Sequence, residues 1–272
     1  MKTAHEQFAE KGWLIVDFSD KEPVLRARKE LQEELSSLIG KETALEDYHE
    51  TIPAEKHTEI QVHMTEFFRK RRFGPRIVAS HLRFFQAFIG LDLLVQANPY
   101  LRITRPFRKE DNIGYHRDTF YGGSPYELSV LIPFVDLEPE SNLQVLSGSH
   151  ILPESEFPTT QVVNEDASIT KGSAKHNLGF LYAPKVMDPL IESRMESYPL
   201  RVGQALIFSL STVHGSVENR GRVSRWSTDI RVLNALAPVN LEARPTYYEP
   251  LCESAVTASA KSYLKNNEVV LV

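Results

Sequence analysis

Cysteine is almost absent: Cys252 is the only one in 272 residues. No internal disulfide can form, and a reducing compartment is expected. Long apolar runs are missing as well. No stretch reaches the length of a bilayer span, and the opening MKTAHEQFAEKGW lacks the apolar centre of a secretory signal. A cytoplasmic protein with no membrane partner is therefore expected. Positive charge is not in excess: 31 Lys and Arg against 36 Asp and Glu give a net charge of −5, so nothing calls for a nucleic-acid partner. Repeats, low-complexity tracts and Gly/Ser/Pro linkers are lacking too, which favours one domain over residues 1–272.

What is present falls into two halves. The first ten residues read as a short helix stopped at Gly12, followed by a strand, WLIVDF. From Lys21 to Leu38, Val24, Leu25, Leu31, Leu35 and Leu38 recur at helical intervals, an amphipathic helix with one face on a core. A second helical region is expected from His57 to Ile89, interrupted at Gly74-Pro75 and ended by Gly90. After Leu91 short β-rich runs take over: LLVQA, YLRIT, the segment around His116, LSVLIPFVDL, NLQVLS, QALIFSL and RWSTDIRVL. Helices followed by many short strands indicate an α+β chain with a β-sandwich or jelly-roll core. The expected layout is a helical part over about 1–90, a barrel over about 91–235 and a C-terminal extension over 236–272. Pro153 to Val202 has several prolines and weak periodicity. It reads as a long insertion of the kind that often forms a lid or binding loop.

In NIGYHRDTFYGG, His116 stands two residues before Asp118. A strand would put both side chains on one face. Such a pair is either a salt bridge or two-thirds of a metal site. A second histidine, His214, stands just past an apolar strand in STVHGSVENRGRVSRWSTDIRV, and Arg225 lies 11 residues beyond it (225 − 214). Together His116, Asp118 and His214 make the two-histidine, one-carboxylate set that holds non-haem Fe(II) and leaves three positions open. Arg225 offers a bidentate fork for a carboxylate. On the strand that starts there, Arg225, Ser227, Asp229 and Arg231 share one face, and Trp226, Thr228, Ile230 and Val232 the other.

These pieces resemble the phytanoyl-CoA dioxygenase family of Fe(II)- and 2-oxoglutarate-dependent oxygenases. YHRD is similar to the family's H-x-D pair and NLQVLSGSH to its L-x-x-x-PGSH signature. VHGSVEN is similar to its distal histidine with Gly-Ser and Asn, and the arginine 11 residues on completes the set. FAEKGWLIV and FIGLDLLVQ resemble its helical part, so the likeness runs in order over residues 5 to 235. Gln204 replaces the usual acid, and Ser147 the proline before Gly-Ser-His; neither is a ligand position.

The resemblance implies a double-stranded β-helix (jelly roll) core with N-terminal helices packed on it. It also implies catalysis at His116, Asp118 and His214 with Fe(II), 2-oxoglutarate and O2, releasing succinate and CO2. Arg225 and Ser216 would hold the co-substrate carboxylate; Ser216 has a turn-stabilising hydroxyl as its plainer role. Arg105 is the choice for a further co-substrate contact, with Arg102 second. Because Asp118 is an acid rather than a small residue, the resemblance implies hydroxylation rather than halogenation. His150 is expected to be structural, as are His63, His81 and Trp226.

Arg231 on the polar strand face and Arg102 in RITRPFRK point to a small polar, anionic metabolite as the substrate. The basic run FFRKRRFGPR reads as a solvated helix face, with an anionic partner as the alternative. The rival to an oxygenase is a non-catalytic sensor or scaffold on the same fold. A cupin-type enzyme without 2-oxoglutarate is a weaker one, since Arg225 at the family's spacing argues against it. The sequence leaves the oligomeric state open.

Overall fold

The computed structural model describes residues 2–160, 184–216, 218–239 and 245–266. Helix α1 (Ala4–Lys11) starts in a capping box, Thr3 and Glu6 each accepting from the other's backbone, and stops at Gly12 with φ 80°. A side chain at Gly12 would collide with the His150 ring and with Thr212 Oγ1, so this glycine lets α1 lie against the segment that leads into His214. Strand β1 (Trp13–Asp17) follows at once.

Helix α2 (Glu22–Ile39) buries Val24, Ala27, Leu31 and Leu35. Leu25 and Leu38, placed on that face by the sequence pattern, stay largely exposed. A one-turn helix α3 (Tyr48–Thr51) precedes α4 (His57–Lys70), α5 (Phe73–Ala79) and α6 (Leu82–Ile89). The helical break comes earlier than Gly74-Pro75. Arg72 turns the chain in the left-handed region, φ 55°, and Pro75 sits in the first turn of α5, where its missing N–H costs nothing.

The strands are β2 (Leu93–Gln96), β3 (Tyr100–Thr104), β4 (Leu128–Pro133), β5 (Gln144–Val145), β6 (Gln204–Ser209), β7 (His214–Gly215), β8 (Arg225–Asn234) and β9 (Tyr248–Cys252). Seven form one antiparallel sheet ordered β1-β6-β4-β8-β2-β9, with β3 also on β8; β5 and β7 form a small second sheet. The ten-residue β8 is the axis. Along one edge it pairs with β4, and along the other with β3 over residues 225–229 and then β2 over 232–234. Its period of two sends Trp226, Ile230 and Val232 into the apolar core shared with the helices, where the Tyr48 ring meets Trp226 edge-on at 5.4 Å. Arg225, Ser227, Asp229 and Arg231 point the other way.

The helical part and the C-terminal extension both join the sheet, through β1 and β9. The extension also carries a helix the sequence pattern did not suggest, α8 (Ala255–Asn266), α7 being the short turn Ile191–Arg194. Of the expected insertion, residues 161–183 lie outside the described residues. Its remaining parts pack Phe157, Val186 and Ile191 with Tyr115, Leu146 and Val213 in a second apolar cluster. Among the described residues no helix is long and apolar enough to cross a membrane.

Candidate metal centre

His116 and His214 are brought together by a single reciprocal bridge: each backbone N–H donates to the other's carbonyl at 2.9 Å. That closeness needs Gly215, because a Cβ there would lie 2.1 Å from Gly114 O. The H-x-D pair is not on a strand, as the sequence spacing had suggested. His116 makes only the bridge, and Asp118 opens a short 3-10 turn, Asp118–Tyr121, its N–H bonded to Leu210 O. The side chains meet nonetheless. Asp118 Oδ1 lies 3.5 Å from His116 Nε2 and 3.7 Å from His214 Nε2, and the two rings are 4.5 Å apart. One donor atom from each residue falls within 4.8 Å of the others, a set that can hold a metal ion.

Both imidazoles are prepared for this. Nδ1 of His116 lies 2.9 Å from Gly114 O, and Nδ1 of His214 lies 2.9 Å from Thr212 O. A carbonyl can only accept, so each Nδ1 carries the proton and each Nε2 presents its lone pair to the shared space. Burial pushes His214 down to about 4, the Asp118 charge offsetting part of the effect, so the ring is neutral near pH 7. Burial also opposes a charge on Asp118, but Arg231, His214 and His116 outweigh it and hold the carboxyl well below the usual carboxylate range.

The triad lies in a cleft that also exposes Arg102, Asp111, Asn112, Ser216, Arg225, Asp229 and Arg231, with Leu131, Leu143 and Phe208 as apolar wall. Arg225 is 4% exposed, and among the described residues its Nε has no acceptor and its Nη1 reaches Ser141 O at 3.5 Å. Burial, then Arg102, push it down to about 10, Asp229 and Asp111 offsetting part of this. Two further hydroxyls beside it, Ser227 Oγ and Thr104 Oγ1, are buried without a partner among the described residues. Thr104 is the cross-strand partner of Arg225, so both side chains stand on one face. A buried guanidinium flanked by two unanswered hydroxyls is the complement of a carboxylate. Ser216 is at the cleft too, its hydroxyl donating to Asn112 Oδ1 at 2.6 Å.

The other arginines are placed differently from the sequence expectation. Arg105 is not at the cleft; its guanidinium clasps Asp111 through two bonds of 2.8 Å. Arg102 is at the cleft with Nε on Asp229 Oδ1 at 2.8 Å, and Arg231 contacts Asp118 and Asp229. The expected cluster of cations turned toward an anionic substrate is thus an internal lattice of ion pairs. Of its acidic members, Asp229 was placed on the polar face of the strand by sequence but its ion pairs were not, and Asp111 was not singled out, because these partners come from cross-strand register and loop closure. Thr104 was reachable: it stands two residues past Arg102 on a strand of period two. His150 is structural, with Nε2 on Ala9 O, and the basic run pairs with Glu30 and Glu249 of the same chain.

No family model and no curated protein matches the chain. Solved structures do. A non-haem monooxygenase, ThoJ in its apo form, is 18% identical over 93% of this chain and 85% of its own, with a TM-score of 0.55. Its nickel complex gives 14% identity, the same coverage and a TM-score of 0.50. EvdO2 from Micromonospora carbonacea var. aurantiaca, complexed with 2-oxoglutarate, gives 17%, 89% and 95%, and 0.51. The likeness establishes the fold. A mixed helical and antiparallel-sheet architecture shared with non-haem enzymes is what these identities carry.

Proposed function

We propose that the chain is an Fe(II)- and 2-oxoglutarate-dependent oxygenase of the phytanoyl-CoA dioxygenase type, with a double-stranded β-helix core, hydroxylating a small polar metabolite. One observation carries the reading. The two Nε2 lone pairs and the Asp118 carboxylate converge in the cleft that Arg225 also lines, and the Arg225 Nε, with Ser227 Oγ and Thr104 Oγ1 on the same sheet face, has no hydrogen-bond partner among the described residues. A metal-binding set alone fits many proteins; a metal-binding set beside a buried guanidinium and two buried hydroxyls fits a dicarboxylate co-substrate.

His116, Asp118 and His214 would hold the ion, and Arg225, Ser227 and Thr104 the distal carboxylate of 2-oxoglutarate. Once bound with O2, the iron and co-substrate supply the oxidation of a substrate C–H bond and release succinate and CO2. The protein's part is placement. Arg225, itself buried, would bind a charge where little water reaches it, so its hydrogen bonds would be strong and directional. Leu131, Leu143 and Phe208 keep one wall dry. With Arg102 and Arg231 already on aspartates, an anionic substrate would bind by exchange for those partners, and polar groups of the cleft would orient it by hydrogen bonds.

The test is succinate release from 2-oxoglutarate in air with added Fe(II), run on the wild type and on His214→Ala. Fe(II)-dependent succinate in the wild type, lost in the variant, is the expected result. A wild type that binds Fe(II) and 2-oxoglutarate yet makes no succinate with any substrate offered would favour the sensor or scaffold role instead.

A further inference from the structure

Arg231 holds a position that the substrate-binding expectation does not explain. Its Nη2 lies 2.5 Å from Asp118 Oδ2. Its Nη1 donates to Ser129 Oγ and lies 3.4 Å from Asp229 Oδ2. Ser129 is the register partner of Arg231 on β4; Asp229 stands two residues back on the same face of β8 and is itself held by Arg102 of β3. The Arg231 backbone N–H donates to Gln96 Oε1, from β2. Two strands therefore hold this guanidinium directly, β4 and β8, while β3 braces it through Asp229 and β2 holds the Arg231 backbone. Asp118 is placed differently: it stands at the start of a 3-10 turn outside the sheet, its backbone bonded to Leu210 and Gly123.

The two oxygens of Asp118 are consequently not equivalent. Oδ1 is the atom that faces both Nε2 atoms, and Oδ2 is the atom on the guanidinium. A carboxylate can bind a metal through one oxygen or both. A cation fixed at Oδ2 competes for that oxygen and repels a second cation approaching on the same side. The difference has a consequence for the number of positions left. Two imidazoles and one oxygen leave three of six open; two imidazoles and two oxygens leave two, which a chelating co-substrate fills completely.

We propose that Arg231 is a positioning residue that reserves Asp118 Oδ2, limits the carboxylate to one metal bond through Oδ1, and so keeps a third coordination position available. The inference rests on the reading of His116, Asp118 and His214 as a metal site that also takes 2-oxoglutarate. It makes Arg231 part of the metal centre rather than of substrate recognition.

Crystals of the wild-type Mn(II)·2-oxoglutarate complex test it directly. Asp118 is expected to bind Mn(II) through Oδ1 alone, with Oδ2 on Arg231. In Arg231→Leu both oxygens should approach the ion. In solution, anaerobic titration of the Fe(II)·2-oxoglutarate complex with nitric oxide reads the third position. Arg231→Leu should raise the nitric oxide Kd at least ten-fold, and Ser129→Ala, which removes one anchor without burying a charge, about two- to three-fold. If Arg231→Leu does not fold, the wild-type crystal and Ser129→Ala decide. Wild-type Asp118 binding through both oxygens, or unchanged nitric oxide affinity in both variants, overturns the proposal while leaving the metal site standing. A wild type that takes up no Mn(II) overturns the metal reading itself.

Discussion

The chemistry of the cleft is set by which atoms have partners and which do not. His116 and His214 each spend Nδ1 on a carbonyl two residues back, so their remaining nitrogens are donors of a lone pair by construction. Arg225 is the opposite case, a buried cation whose Nε has no acceptor among the described residues. Arg225→Ala is expected to cost about 3 kcal/mol in 2-oxoglutarate binding, a hundred-fold or more in Kd, because the ligand's buried carboxylate would then go unanswered. Metal affinity should stay within a few-fold; calorimetric titration with Mn(II) and then 2-oxoglutarate separates the two. A second residue-level consequence concerns acid. His57, between the Tyr48 hydroxyl at 3.0 Å and Asp111, is pushed down to about 4 by burial, with Asp111 opposing, and His214 behaves alike. A folded value below the ordinary 6.5 means that the unfolded chain binds the proton more readily. The stability each histidine confers is complete above about pH 6.5 and lost as pH falls from there toward 4, about 3 kcal/mol apiece at full titration. Urea midpoints of the metal-free protein should therefore drop steeply over that window, and His57→Gln should flatten the drop.

Elements bring these atoms together through contacts of differing legibility. The face of β8 that carries Arg225, Asp229 and Arg231 was readable from the sequence, because a strand's period of two needs no tertiary information. So were β1, β3 and α1, whose boundaries carry local signals in Gly12 and in alternating β-branched residues. The pairing of Arg231 with Asp118 was not readable. It depends on the register of β4 against β8 and on a turn more than a hundred residues away in sequence. The H-x-D spacing suggested a strand, yet one reciprocal bridge was all the regular pairing that His116 makes. That bridge is the element-level weak point. Gly215→Ala would force Gly114 and His214 apart, and a loss of about 2 kcal/mol or more in stability is expected. The Mn(II) Kd should rise at least ten-fold while far-ultraviolet circular dichroism stays near wild type, since the seven-stranded sheet does not include β7. A Gly215→Ala protein with wild-type metal affinity would show that the bridge does not set the ligand geometry.

For the molecule as a whole, the C-terminal segment is a structural part rather than an appendage. β9 covers the edge of β2, Tyr248 donates to the buried Glu127, and Asp92 accepts from Ser254 and Thr257 at the start of α8. Removing residues 245–272 would uncover the β2 edge, and an uncovered edge pairs with other chains. A lower unfolding midpoint and concentration-dependent light scattering are the expected outcome; a truncated protein that keeps the full chain's oligomeric state and stability would contradict it. The reciprocal bridge has a counterpart at this scale. His116 and His214 are 98 residues apart in sequence (214 − 116). An ion bound between them is a reversible cross-link that closes a long loop, tying a turn before β4 to the chain just past β6. Closing such a loop is entropically costly to the unfolded chain, and an ion that binds only the folded form repays that cost in proportion to the logarithm of its concentration. The melting temperature should accordingly climb with each decade of Mn(II) above its Kd, and the protein's heat resistance would then serve as a gauge of the metal supplied to it.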